Sequence, residues 1–300
     1  MNRRSFLQSG AALAAAPWAI PGNAVAQTAP AASPLPLPPA GADGWVSLIN
    51  GRNLDGFFSV LDKSGRGVAE KNGWVTVENG MLHIMGNLAT DEPAEAGYLA
   101  TTREFENYRL RAEYKWGVKR FAPRLESKRD NGLLYHLVGS DKVWPTCVEC
   151  QIQEGDVCDY FLLGGARGSA GRGGGYFGGN LTPASGPPPQ AGGGRGAAGQ
   201  TPPAAGGRGA GQAPVSSNRK LRDQGGDLED KNGWNVVECV VQGDSSSHLL
   251  NGVRLNTMSG FQQPDPQNPG QFIALTRGKI AIEIEFAEIW YRRLEVKSLV

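Results

Sequence analysis

The stretch Asp130–Leu163, DNGLLYHLVGSDKVWPTCVECQIQEGDVCDYFLL, holds the densest set of side chains able to do chemistry. In VECQIQ, a period of two sends Val148, Cys150 and Ile152 one way and Glu149, Gln151 and Gln153 the other. His136 lies in the preceding apolar run, GLLYHLV, which Asn131-Gly132 and Gly139-Ser140-Asp141 bound. Three long polar side chains on one strand face, beside a strand carrying a histidine, suit a hydrogen-bonding groove. The same pattern also describes an antiparallel sheet with one wet face.

The elements that must position these groups read as strands throughout. GWVTVENGMLHIMG is the strongest hairpin signal: Trp74, Val75 and Val77 precede Asn79-Gly80, and Met81, Leu82 and Ile84 return. Further on, Leu110, Ala112 and Tyr114 alternate with Arg111, Glu113 and Lys115. Val236, Glu238 and Val240 alternate with Val237, Cys239 and Val241, and an arm from His248 to Leu255 turns at Asn251-Gly252. Near the end, Ile280, Ile282 and Ile284 oppose Ala281, Glu283 and Glu285. Val118–Arg129 is basic and irregular and reads as a loop over one face. Many short strands with Gly and Asn turns, and no amphipathic helix, predict an all-β sandwich or jelly roll.

Cys147-x-x-Cys150 has the look of a metal or redox pair. In a strand, however, positions three apart face opposite ways, and no second pair stands at matching spacing. Cys147, Cys150, Cys158 and Cys239 read as small buried residues with at most one bridge. A net charge of +1 and no basic stripe give no field for nucleic acid.

The N-terminus carries an address. Arg3-Arg4-Ser5-Phe6-Leu7 is a twin-arginine pattern, Gly10–Ile20 is apolar and small, and Asn23-Ala24-Val25-Ala26 offers a cleavage site before Gln27. Residues 1–27 therefore read as a signal peptide for periplasmic or secreted export, and the apolar run is too short for stable membrane insertion. Residues 28–42 form a Pro/Ala linker. Residues 43–300 form a single domain interrupted at about 164–215 by a Gly/Pro-rich insertion. With 43 glycines and 20 prolines in the chain, many of them in that block, the insertion has too few apolar residues to offset its own ordering.

In this order, GWVSLINGRNLDGF, GYLATTREFENYRLRAEYKWG, DNGLLYHLVGSDKVWP, VECQIQEGDVCDYFLLGG, GWNVVECVVQGDSSSHLLNG and AEIWYRRLEVKSL together resemble the 3-keto-disaccharide hydrolase domain family. The resemblance covers Gly44–Gly165 and Leu228–Leu299. It implies a concanavalin A-like β-sandwich (jelly roll) acting on sugars oxidised at C3. Two departures stand out. The family's Gly-Asp-x-Gly-Asp run reads Gly155-Asp156-Val157-Cys158-Asp159, and Glu283 stands where glutamine is usual. Cysteine resists backbone angles that glycine allows, which puts the loop conformation at 158 in question.

The implied chemistry is cleavage of 3-keto-glycosides or 3-keto-disaccharides. A C3 ketone acidifies the C2 proton, its loss lets the aglycone leave C1, and water adds back. Such an enzyme needs a base at C2, an electrophile at the enolate oxygen and an acid for the leaving group. His136, Glu149 and Glu285 have the right types. Gln151 and Gln153 suit sugar hydroxyls, Tyr135 and Trp144 suit stacking, and Arg111 or Arg292 suits a cationic electrophile. His136 and Glu149 also suit a divalent metal ion. His248 is a further ligand or acid, or else a strand-end histidine bonded to backbone. The partners implied are the glycoside and an upstream sugar 3-dehydrogenase. The rival class is a non-catalytic, lectin-like carbohydrate-binding module, which would show an open aromatic platform in place of a pocket. A third is a calcium-stabilised sandwich with its ion at Gly155–Asp159.

Overall fold

The computed structural model describes residues 37–170, 176–178 and 218–299. In chain order the strands begin with β1 (Val46–Ser47), β2 (Phe57–Leu61), β3 (Gly65–Arg66), β4 (Val75–Glu78) and β5 (Met81–Ile84). β6 (Gly97–Phe105), β7 (Tyr108–Arg120), β8 (Gly132–Val138), β9 (Thr146–Gln151) and β10 (Tyr160–Leu163) follow. Then come β11 (Arg167–Ser169), β12 (Tyr176–Gly178), β13 (Arg219–Lys220), β14 (Asn235–Gln242) and β15 (Ser245–Leu250). The last four are β16 (Val253–Pro264), β17 (Phe272–Ala274), β18 (Gly278–Ile284) and β19 (Ala287–Ser298). One short helix, Val68–Lys71, is present among the described residues.

The strands form two antiparallel sheets packed as a sandwich. One has 11 strands, with the path β12-β11-β16-β15-β14-β7-β19-β5-β4, β1 joining β19 and β17 joining β16. The other has 8, in the order β13-β10-β9-β8-β18-β6-β2-β3. The expected all-β sandwich is therefore the fold.

Alternation decides which residues fill the space between the sheets. Ile280, Ile282 and Ile284 of β18 and Val148 and Cys150 of β9, with Ile152 just beyond it, meet Leu110, Ala112 and Tyr114 of β7 and Val237, Cys239 and Val241 of β14 in one core. Each fully buried isoleucine or leucine there contributes about 1.5–3 kcal/mol. The β4–β5 hairpin turns on Asn79 (φ 51°) and Gly80 (φ 79°). Positive φ at both positions is the tight turn whose twist matches the strands.

The expected insertion at about 164–215 overlaps the described chain. Gly164–Ala170 is ordered, and Arg167 and Ser169 pair with Gln262 and Ser259 of β16. Residues 171–175 and 179–217 lie outside the described residues, as do the expected signal peptide and most of the linker. Cys158 takes φ +76°, so the loop keeps a glycine-like turn at some strain, about 1–2 kcal/mol.

A buried carboxylate cluster as candidate active site

The 8-stranded sheet has a second face, turned away from the core. The residues alternating with the core set of β9 and β18 lie there, so Glu149 and Glu283 share it with Tyr98, Leu134, Phe161 and Ala281. Register brings them together: Leu134 pairs with Glu149, Gly132 with Gln151, and Glu283 with Tyr98. β18 runs antiparallel to β8 with Ile282 opposite Leu133, which sets Glu283 opposite Gly132. A Cβ at position 132 would lie 2.8 Å from Glu149 Oε1 and 2.9 Å from Glu283 Oε2. Glycine leaves the room that two carboxylates need to approach from either side.

Two more carboxylates and one guanidinium complete the cluster. Asp130 lies just before β8 and Glu285 just after β18, both buried. Arg124, from the loop after β7, donates from Nη1 to Asp130 Oδ2 at 2.6 Å and pairs with Glu285 Oε1 at 2.9 Å. Gln153 Nε2 donates to Asp130 Oδ2 at 2.8 Å. Asn131 anchors the floor, its Nδ2 donating to the Glu283 carbonyl at 2.7 Å and its Oδ1 accepting from the Tyr291 hydroxyl at 2.6 Å.

Four buried carboxylates face one fixed cation, so the cluster cannot hold all its formal charge. Both side-chain oxygens of Glu149 and Glu283, Oε2 of Glu285 and Oδ1 of Asp130 have no hydrogen-bond partner as carboxylates, while Glu285 Oε1 keeps its ion pair with Arg124. A proton on Glu283 or Glu285 would let the two bond to each other. Burial, then the neighbouring Glu285 and Asp130 charges, pushes Glu149 well above the usual carboxylate range. Burial and the Glu149 charge do the same to Glu283. Burial and the Asp130 charge raise Glu285 to about 8, with Arg124 pulling the other way. Burial also raises Asp130, against the same arginine. Glu285 thus keeps its proton near neutral pH, and a carboxylate whose affinity for protons is raised is a stronger base once ionised.

The family model for the 3-keto-alpha-glucoside-1,2-lyase-like domain matches residues 44–297, a span that contains all of these groups. The chain belongs to that family. Among curated proteins none matches significantly. Among solved structures, a candidate glycosyl hydrolase from Parabacteroides distasonis aligns at TM-score 0.48 and 16% identity, covering 86% of this chain and 95% of that one. A second such structure from the same organism aligns at TM-score 0.45 and 15% identity, covering 85% and 99%. The carbohydrate binding module CBM66 from Bacillus subtilis aligns at TM-score 0.39 and 7% identity, covering 85% and 96%.

Of the residues expected from sequence, Glu149, Glu285 and Gln153 meet in the cluster. Gln151 lies on the same face, its Oε1 accepting from the Ile152 amide at 3.0 Å. Trp144 is buried in the apolar half of that face, with Tyr98 and Phe161.

His136 is elsewhere. β8 carries one extra residue there relative to both neighbours, between Leu134 and Leu137 against β18 and between Tyr135 and Val138 against β9. His136 takes φ 51° in that bulge. Its ring turns toward Phe261, and Nε2 meets the Gly243 carbonyl of the other sheet at 3.1 Å. Burial holds it neutral, at about 4. The expected His136–Glu149 pairing, as acid–base couple or metal ligands, is corrected accordingly.

Tyr135 and His248 are core groups too, bonded to each other at 3.0 Å, and do not line the groove. Arg111 pairs with Glu295, and Arg292 with Glu113, on the 11-stranded sheet. At Gly155–Asp159, Asp156 pairs with Lys128 and Asp159 with Arg219, so those carboxylates are held by cations of the chain. Arg124, Asp130, Glu283 and Gly132 complete the site. Asp130 and Gly132 flank the recognised strand, Glu283 stood out only as a departure, and Arg124 had no periodic pattern to mark it.

Orphaned buried oxygens are the donors a hard divalent ion takes, so Glu149, Glu283 and Glu285 fit one in chemistry. Among the described residues, however, the group whose candidate ligand atoms all lie within 4.8 Å of one another is a different one, Cys150, Cys239 and His248.

Proposed function

We propose that this protein is an exported enzyme that cleaves 3-keto-glycosides or 3-keto-disaccharides by C2 proton abstraction, elimination of the aglycone and hydration. The observation that carries the reading is the group of four buried carboxylates around one arginine, within the family's domain. Glu149, unpaired and raised, serves in its ionised form as the base at C2. Glu285, still protonated at neutral pH, gives its proton to the leaving oxygen. The Arg124 guanidinium, fixed by Asp130 and Glu285, supplies positive charge for the enolate oxygen. Gln153 holds Asp130 and so fixes that arginine. A divalent ion on Glu149, Glu283 and Glu285 would polarise the same oxygen as a Lewis acid. A 3-keto substrate requires an oxidoreductase acting upstream on the C3 hydroxyl.

A binding module would present exposed aromatic rings. Trp144 is instead 6% exposed, and charged groups, not rings, converge. The test is incubation of the mature protein with 3-keto-disaccharides, with and without chelator, following release of free sugar. Release from the 3-keto substrate and not from its unoxidised parent supports the reading. Tight binding of either without release would return it to the lectin-like class.

A further inference from the structure

Behind the carboxylate sheet, between the two sheets, three thiols and an imidazole meet. Cys150 comes from β9, Cys239 from β14 and His248 from β15, where Cys239 and His248 are cross-strand partners. One ligand atom from each of the three lies within 4.8 Å of the others, and all three residues are fully buried. The Cys150 thiol also contacts that of Cys158, which the strained turn brings into the core. Cys147, the near neighbour in sequence, lies on the opposite face of the sheet and takes no part.

From these contacts we infer a structural zinc(II) site, with Cys150, Cys239 and His248 as ligands and Cys158, as its thiolate, the fourth donor. The donor set, sulfur with imidazole, suits zinc and not a hard ion. In a tetrahedron with Zn–S near 2.3 Å, sulfurs stand about 3.8 Å apart. Cys150, Cys239 and His248 therefore close in by about an ångström, and Cys158, which stands outside that group of three, moves further to reach the ion.

His248 is already oriented for the role. Its Nδ1 faces the Cys158 carbonyl at 3.3 Å. A carbonyl only accepts, so Nδ1 carries the hydrogen and Nε2 keeps its lone pair. Backbone-held Nδ1–H is the usual second support of a ligating histidine. Nε2 now meets the Tyr135 hydroxyl at 3.0 Å, but that hydroxyl also lies 2.6 Å from Ser246 Oγ and can turn its proton there. On binding, the Cys150, Cys158 and Cys239 thiols ionise and their three protons pass to solvent, giving a three-cysteine, one-histidine site with one net negative charge.

The position between two sheets also fixes the kinetics. With every ligand fully buried, zinc enters as the chain folds and leaves only when it unfolds. A surface-bound or adventitious ion would leave on dialysis.

The test uses the full chain grown with zinc. The protein is dialysed exhaustively against EDTA, analysed for metals, and then unfolded in guanidinium with a chromogenic zinc indicator. About one zinc per chain is expected to survive dialysis and appear only on unfolding. Cys239→Ser is expected to lose it, while Glu149→Gln and Glu283→Gln, on the other face of the sheet, keep it. If Cys239→Ser does not fold, protein grown with cobalt is read instead. Sulfur-to-cobalt charge transfer and the visible bands of tetrahedral cobalt are expected, and their absence overturns the site. Zinc-free folded protein with four titratable thiols on unfolding overturns it as well. So does a missing pair of thiols without metal, which would mean a disulfide. Loss of the zinc in the carboxylate variants alone would place it in the other site and equally overturn this one.

Discussion

Glu149 and Glu283 face each other across Gly132, each with a side-chain oxygen within 3 Å of where a β-carbon at 132 would stand (2.8 and 2.9 Å). The missing methyl group lets two acidic side chains from strands on either side of β8 share one space. Gly132→Ala is expected to keep the sandwich, with a stability loss of about 1–3 kcal/mol from overpacking. Turnover of a 3-keto-glycoside should fall more than the Michaelis constant rises, because the reacting groups are displaced. Thermal denaturation and steady-state kinetics on the same preparation check both halves.

Glu149→Gln is expected to fold and to lose about 10²- to 10⁴-fold in turnover, the range of a positioned acid–base group. Stability should fall by no more than about 1 kcal/mol, since the change removes one member of a crowded acidic set. Ile152→Ala, one of the core residues next to the site, is the reverse case. It should cost about 2–5 kcal/mol through a cavity and leave the turnover of the folded fraction close to normal. An unfolded Glu149→Gln beside a stable, inactive Ile152→Ala would refute the assignment of the two faces.

The proton held by Glu285 sets a pH dependence. Glu285 is raised from 4.5 to about 8 in the folded chain, so the native state binds its proton more tightly than the unfolded state does. That contribution to stability is complete below about 4.5 and is lost as pH rises through about 8, at up to about 1.4 kcal/mol per pH unit. Melting temperature should fall across this window, and the fall should be shallower in Glu285→Gln. Turnover should decline above about 8, where the leaving-group acid has lost its proton.

Arg124 is buried between Asp130 and Glu285. Removing one partner of a buried ion pair costs about 3–5 kcal/mol because it strands the other charge. Arg124→Met should therefore destabilise most at alkaline pH and least in acid, where the stranded carboxylates protonate. Equal loss of stability at both ends would mean that the arginine acts by packing alone.

The strand alternations were legible because burial repeats every second residue. VECQIQ and IAIEIE each place their apolar set in the core and their acidic set together, as written in the sequence. His136 broke the rule because one extra residue in β8 reverses its side. Turn residues and hydrophobic period give no warning of a bulge within an apolar run. Arg124 was hidden in a loop whose path depends on the packed sheet. The meeting of Cys150, Cys158, Cys239 and His248 depends on strands far apart in sequence, and pairwise spacing within the chain carries no trace of it.

The sheet bearing the carboxylates ends, among the described strands, in β13 at one side and β3 at the other. Each is two residues long, Arg219–Lys220 and Gly65–Arg66. Such short margins offer an incoming strand few free backbone groups. Two molecules at high concentration therefore gain little by joining these sheets side by side. Self-association through this sheet would have to use its outer face, in competition with whatever the acidic cluster binds.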